Sequence, residues 1–119
     1  MRCIIAGSRT VAKADVIEAM LQCPFTNEIT VVVSGTARGA DTFGEEWARS
    51  AARQVARYPA DWNRHGKSAG FIRNRQMAEN ADALVAVWDG QSRGTANMIK
   101  EAEQRRLRVF IHNVGTGGK

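Results

Sequence analysis

The run Ala83-Leu84-Val85-Ala86-Val87-Trp88 carries no charged or hydroxylated side chain at any position. Successive side chains of a strand point to opposite faces, so a strand that is apolar throughout must be covered on both sides. A central strand of a parallel sheet with helices above and below meets that condition, and a half-solvated antiparallel sheet does not. The rest of the chain supplies its partners. Arg2 to Ala6 and Thr30 to Val33 are short strand-like runs bounded by Gly/Ser clusters. Val55 to Tyr58 and Leu107 to His112 add two more, the last with Leu107, Val109 and Ile111 on one face and Arg108, Phe110 and His112 on the other. Helical spacing puts Ala40, Phe43, Gly44, Trp47, Ala48 and Ala51 on one stripe, which makes Trp47 a core residue, with Glu45, Glu46 and Arg49 off it. Further helices are read over Ala12 to Leu21, over Gly70 to Asn80, and through Thr95, Ile99, Ala102 and Arg106. Strands and helices thus alternate from end to end. With right-handed crossovers, that order predicts a Rossmann-like, three-layer α/β/α fold whose parallel sheet of five strands runs 3-2-1-4-5.

A chain of 119 residues, 44% of them hydrophobic, is long enough for one domain with a real core and too short for two. Residues 1–113 are read as that domain, and Val114 to Lys119 as a flexible tail. Pro59 to Ser68 is the one long irregular stretch, and its Trp62, Arg64, His65 and Lys67 make it a candidate lid. Cys3 and Cys23 have no metal-type spacing and read as reduced, buried thiols, which suits a cytoplasmic protein. No apolar stretch approaches the roughly 20 residues that span a bilayer, so no membrane partner is expected. A net charge of +5 favours anionic partners without choosing among them. Arg105, Arg106 and Arg108 account for part of it at a helix C-terminus, where the dipole favours cations.

The candidate site lies in three polar segments, each between a strand-like run and a helix-like one: Gly7-Ser8-Arg9, Ser34 through Asp41, and Asp89 through Thr95. Such loops present free backbone N–H groups and the positive end of a helix dipole, and glycine lets an anion come close. In the predicted strand order, strands 1 and 4 meet at the topological switch point, so the Gly7 and Gly90 loops flank one crevice with the Gly35 loop beside it. The candidate ligand residues are therefore Gly7, Ser8, Arg9, Ser34, Gly35, Thr36, Arg38, Gly39, Asp41, Asp89, Gly90, Ser92, Arg93, Gly94 and Thr95, joined by Arg73 and Asn74. Arginine offers phosphate a bidentate fork, whereas the serines and Thr95 serve equally as helix caps. Asp89 and Asp41 are the candidate acids, with capping a helix or holding a loop as the alternative for each. Arg75 reads as a surface or interface charge, compatible with a homo-oligomer. Trp62 and Trp88 read as packing residues, with stacking on a base as the alternative. His65 and His112 carry no chemistry in this reading. No cofactor and no metal is expected.

Generic nucleotide motifs do not fit. His65-Gly66-Lys67-Ser68 imitates the end of a Walker motif, but the earlier glycine falls at Asp61 and no strand leads into it. Gly7-Ser8-Arg9-Thr10 stands where a dinucleotide fingerprint would follow the first strand. Taken together, Gly7-Ser8-Arg9, Ser34 to Asp41, Tyr58-Pro59-Ala60-Asp61-Trp62, Ala69 to Met77 and Trp88 to Thr95 closely resemble the YspA-related SLOG family, in the superfamily of the Smf/DprA and Lonely Guy (LOG) proteins. The resemblance implies a Rossmann-like fold and a pocket for a nucleotide or a nucleotide-derived, ADP-ribose-like ligand, used to sense or sequester a nucleotide signal. It also implies two alternatives. One is a LOG-like phosphoribohydrolase, but the glutamate of the P-G-G-x-G-T-x-x-E segment falls at Met98, which cannot act as a base. The other is a DNA-binding module like the DprA branch, a use of the positive charge that ranks below a small-molecule ligand.

Overall fold

A computed structural model describes residues 1–115, and its strands pair in parallel in the order β3-β2-β1-β4-β5. The strands are β1 (Arg2–Gly7), β2 (Val31–Ser34), β3 (Gln54–Arg57), β4 (Ala83–Trp88) and β5 (Arg108–Asn113). The helices are α1 (Lys13–Gln22), α2 (Ala40–Ser50), α3 (Trp62–His65), α4 (Ala69–Glu79) and α5 (Arg93–Gln104). The fold is the one expected, a Rossmann-like α/β sheet with helices on both faces.

β4 is buried from Ala83 to Val87 and sits between β1 and β5, with Cys3 opposite Ala83 and Gly7 opposite Val87. Alternation along β1 and β4 sends consecutive residues into opposite cores. Cys3, Ile5, Val85 and Val87 meet Val16, Ala19 and Met20 of α1 and Ala40 and Ala48 of α2. Ile4, Ala6, Leu84 and Ala86 meet Met77 and Ala78 of α4 and Met98, Ile99 and Ala102 of α5. Each fully buried aliphatic side chain here contributes on the order of 1.5–3 kcal/mol, so this two-sided burial of β1 and β4 dominates the stability. Cys3 and Cys23 are free and buried within the first core, and burial pushes the Cys3 thiol far up, which leaves it unreactive.

Several boundaries differ from those read in the sequence. Ser34 belongs to β2 because it pairs with Arg57, whereas Thr30 precedes the strand and Tyr58 follows β3. β5 starts after Leu107 and extends to Asn113. Ile111, expected on an apolar face with Leu107 and Val109, is 39% exposed, because β5 is an edge strand and the second core reaches only Leu107 and Val109. Trp47 is half-buried against the first core rather than inside it. The stretch from Pro59 to Ser68 is not irregular: Asp61 caps α3 by accepting the Arg64 N–H at 3.1 Å, and a 3₁₀ turn over Gly66–Ser68 leads into α4. Asp61 was the sequence signal for that helical turn. Of the expected tail, Val114 donates its N–H to the Trp88 carbonyl and packs on the first core; residues 116–119 lie outside the described residues.

Helix α2 crosses β1 at Gly44, where a Cβ would stand 2.7 Å from Ile5 Cγ2. Gly44→Ala is therefore expected to cost about 1–3 kcal/mol through overpacking, read as a lower urea midpoint at unchanged slope.

Candidate functional site

A cavity of about 200 Å³ opens at the carboxyl ends of β1, β2 and β4, on the side of the sheet covered by α4 and α5. Its floor is apolar, made by Met77 and Met98, both 1% exposed. α4 contributes Gly70, Phe71, Arg73 and Asn74 to the wall, α5 contributes Gly94 and Thr95, and Ser92 lies just before α5. Gly7 and Arg9 enter from the end of β1, Ala37 and Asp41 from the β2–α2 connection, and Lys67 from the turn before α4. Trp62 and Phe71 line the same cavity yet are 54% and 53% exposed, which puts their rings at its mouth.

Hydrogen bonds hold Arg73, Asn74 and Asp41 in place. Arg73 Nη1 donates to the Gly35 carbonyl, and its Nε donates to Asn74 Oδ1 at 3.1 Å. Asn74, buried, donates in turn to the Gly94 carbonyl at 3.2 Å and to Asn97 Oδ1 at 2.9 Å, tying α4 to the first turn of α5. At Gly35 a Cβ would stand 2.6 Å from Arg73 Nη1 and 2.8 Å from Asp41 Oδ2, so only glycine admits both side chains there. Asp41 is 5% exposed and accepts the Ala37 N–H at 3.1 Å. Burial pushes its carboxyl up to about 6, against the opposing pull of that N–H and of Arg73. Arg73 titrates below its ordinary range, because burial outweighs the help of Asp41. Three cations, Arg9, Lys67 and Arg73, thus face one carboxylate across the cavity.

The other residues singled out in the sequence lie around this cavity rather than in it. Ser8 is buried, and its Oγ accepts the Asp89 N–H at 3.1 Å. Ser34 Oγ donates to Glu45 Oε2 at 2.6 Å, and Arg57 binds Glu45 Oε1 through Nε at 3.1 Å and Nη2 at 2.8 Å. Burial alone raises the Glu45 carboxyl, but the bonds from Arg57 and Ser34 outweigh it and hold it below its ordinary value. Gly39, at φ 77°, is demanded by backbone crowding, since a Cβ would stand 2.6 Å from the carbonyl oxygens of Ser8 and Arg9. Thr36, Arg38, Gly90 and Arg93 are exposed and do not line the cavity.

Asp89 and Gly90 were expected to share one crevice with Gly7, and here the geometry differs. Asp89 Oδ1 accepts the Gln91 and Ser92 N–H groups at 2.8 Å each, which holds its carboxyl below the usual range and commits it to the turn. Asp89 lines a second groove of about 630 Å³ on the α1 side, with Asp15, Glu18 and His112. Among the described residues no cluster of His, Cys, Asp and Glu could hold a metal ion. Trp88 spends its indole N–H on the Ser92 carbonyl at 3.2 Å and packs on the second core, as a structural residue does. Arg75 is exposed and does not line the cavity. Lys67, Gly70, Phe71 and Met77 were missed as site residues. The helical spacing of Gly70, Arg73, Asn74 and Met77 was the available signal, since it puts all four on one face of α4.

The sheet order and the cavity at the carboxyl ends of its strands define the class, a Rossmann-like α/β domain with a cavity at the topological switch point. The chain belongs to the YspA, cpYpsA-related SLOG family, whose sequence profile matches residues 1–65. That match includes the Gly7, Gly35 and Asp41 segments and ends before α4 and α5. The Gene 61 protein of Mycobacterium phage D29 is 38% identical over 86 residues, which are 67% of this chain and 69% of the relative. The fold is similar to that of DNA processing protein A (DprA) from Streptococcus pneumoniae, with a TM-score of 0.68 and 21% identity over 92% of this chain. It is also similar to DprA from Helicobacter pylori, a structure described for its single-stranded DNA binding mode, with a TM-score of 0.68 and 18% identity over 93% of this chain. The chain spans 49% and 64% of the length of those two proteins.

The raised carboxyl of Asp41 has a stability consequence. Between an unfolded value near 3.9 and a folded value of about 6, the folded protein binds more protons than the unfolded one, so stability falls as pH rises through that window. Asp41→Asn keeps an oxygen for the Ala37 N–H and removes the buried charge. Urea titrations should show the variant more stable at pH 8 by on the order of 2–3 kcal/mol, with little difference at pH 4.

Proposed function

We propose that the cavity binds a nucleotide or a nucleotide-derived, ADP-ribose-like ligand and that the protein works as a binder, sensing or sequestering such a molecule. One observation carries this reading: Arg9, Lys67 and Arg73 surround a cavity whose mouth holds the exposed rings of Trp62 and Phe71. Cations satisfy phosphate and aromatic faces satisfy a base, the two unlike halves of a nucleotide. The start of α5 adds to the anionic half. Nothing lies within 4 Å of a Cβ built on Gly94, so an anion has room beside a helix N-terminus there. A cavity of about 200 Å³ falls below the roughly 300–1,000 Å³ usual for drug-sized ligands, which suits a phosphoribosyl group inside with the base at the rim.

Binding without turnover is favoured over hydrolysis because Met98 forms an apolar floor where the LOG glutamate would stand. Adenosine 5′-monophosphate incubated with the protein should be recovered intact by chromatography, with no release of adenine in proportion to protein.

DNA binding is the second reading, and the exposed Trp62 and Phe71 beside Lys67 are what favour it. Part of the charge elsewhere is spent within the fold. Arg105 pairs with Glu101 at 2.5 Å and Glu79 at 3.6 Å, and Arg108 pairs with Glu28 at 3.0 Å while lying over the Phe25 ring. Calorimetry with adenosine 5′-monophosphate should show affinity reduced about tenfold or more in the Arg9→Ala/Lys67→Ala double variant and unchanged in Arg38→Ala/Arg93→Ala. A single-stranded oligonucleotide should bind weakly and lose its affinity steeply with salt. Oligonucleotide binding that persists at physiological salt, with none for the mononucleotide, would replace the first reading by the second.

A further inference from the structure

Asp41 holds one carboxylate oxygen that the protein does not use. Its Oδ2 accepts the Ala37 N–H, whereas Oδ1 has no donor among the described residues, and the side chain is 95% buried on the cavity wall, as its 5% exposure records. Arg73 stands across Gly35 from it, yet the two form no ion pair within 4.0 Å, because Arg73 Nη1 is committed to the Gly35 carbonyl and Nε to Asn74. That oxygen is open to the cavity rather than sealed, since Arg53 Nε is the one side-chain nitrogen or oxygen among the described residues that is fully buried without a partner. A ligand seated over it shuts out water, and one that donates a hydrogen bond there avoids leaving the carboxylate without a donor. Phosphate cannot do so, since its oxygens at neutral pH are acceptors that the carboxylate repels.

We infer that Asp41 is the specificity-determining residue of the cavity and accepts a hydrogen bond from the ribose 2′-hydroxyl, so that the site takes ribonucleotides and discriminates against deoxyribonucleotides. This rests on the nucleotide reading above. In a 5′-nucleotide held by the cations and aromatic rings of this cavity the sugar carries the hydroxyl donors, and Asp41 is the carboxylate on the same wall that can accept from one of them. The discrimination has a physical source beyond one missing bond. A deoxyribonucleotide seated in the same way leaves the Asp41 oxygen buried and without a donor, the situation in which sites reject an analogue most strongly.

The groups facing Asp41 are Arg73 from α4, Arg9 from the loop after β1, Glu45 from α2 and the Ala37 N–H. Protonation near pH 6 neutralises the carboxylate and weakens its bond to a hydroxyl. The nucleotide phosphate also titrates near pH 6, but equally in the ribo and deoxyribo forms, so the ratio of their affinities isolates Asp41.

Calorimetric titration of the full chain with adenosine 5′-monophosphate and 2′-deoxyadenosine 5′-monophosphate tests this. At pH 8 the ribonucleotide should bind about tenfold or more tighter, and the ratio should fall to about two or less both in Asp41→Asn at pH 8 and in the wild-type protein at pH 5. The wild-type pH comparison stands whatever happens to the variant. Equal affinity for the two nucleotides at pH 8, or a preference unchanged both by Asp41→Asn and by pH 5, overturns the role of Asp41 and leaves nucleotide binding intact. Absence of binding by either nucleotide overturns both.

Discussion

Everything at the carboxyl edge of the sheet depends on one buried serine. Ser8 donates its N–H to the Val87 carbonyl at 3.0 Å, its own carbonyl accepts the Ala40 N–H at 3.4 Å, and its Oγ accepts the Asp89 N–H at 3.1 Å. The ends of β1 and β4 and the start of α2 are therefore tied at one point, with every polar atom of the serine satisfied away from water. The approach is so close that the preceding position admits no side chain: at Gly7 a Cβ would lie 2.0 Å from the Val87 carbonyl oxygen. The cavity inherits its shape from this tie. Gly7, Arg9 and Asp41 reach it from the elements Ser8 holds together.

A second tie completes the other side. Asn74 spends both amide hydrogens on α5 and its oxygen on Arg73, so the cationic side chain is oriented by a residue that also joins the two helices. Residues that would otherwise be read as ligand contacts thus divide into those that build the walls and those that face inward. Ser34, Glu45 and Arg57 belong to the walls, since their bonds are to one another across β2, α2 and β3.

The sheet order was legible because β4 is apolar on both faces and the helix and strand periods alternate, and those patterns report burial directly. Arg73, Asn74, Gly94 and Thr95, singled out from their motifs, do line the cavity. Phe71 and Met77 were not singled out, because an apolar residue on a helix reads as core whether it faces a sheet or a cavity. Lys67 was legible only as part of a candidate lid, because the short helix that Asp61 caps and the turn after it read as an irregular stretch. Asp89 kept two readings in the sequence, a candidate acid and a residue that caps a helix or holds a loop. A carboxylate at the end of a central strand has the position of either, and here its Oδ1 accepts the N–H groups of Gln91 and Ser92. Only coordinates separate those two uses.

The two recesses at the carboxyl edge are unlike in charge: Arg9, Lys67 and Arg73 on the α4 and α5 side, and Asp15, Glu18 and Asp89 on the α1 side. The switch point is a boundary between a cationic and an anionic half. The first recess sets its three cations around the single carboxylate of Asp41, whereas the second, among the described residues, holds three carboxylates and no lysine or arginine. The sign of the charge at this edge therefore reverses over the width of the switch point.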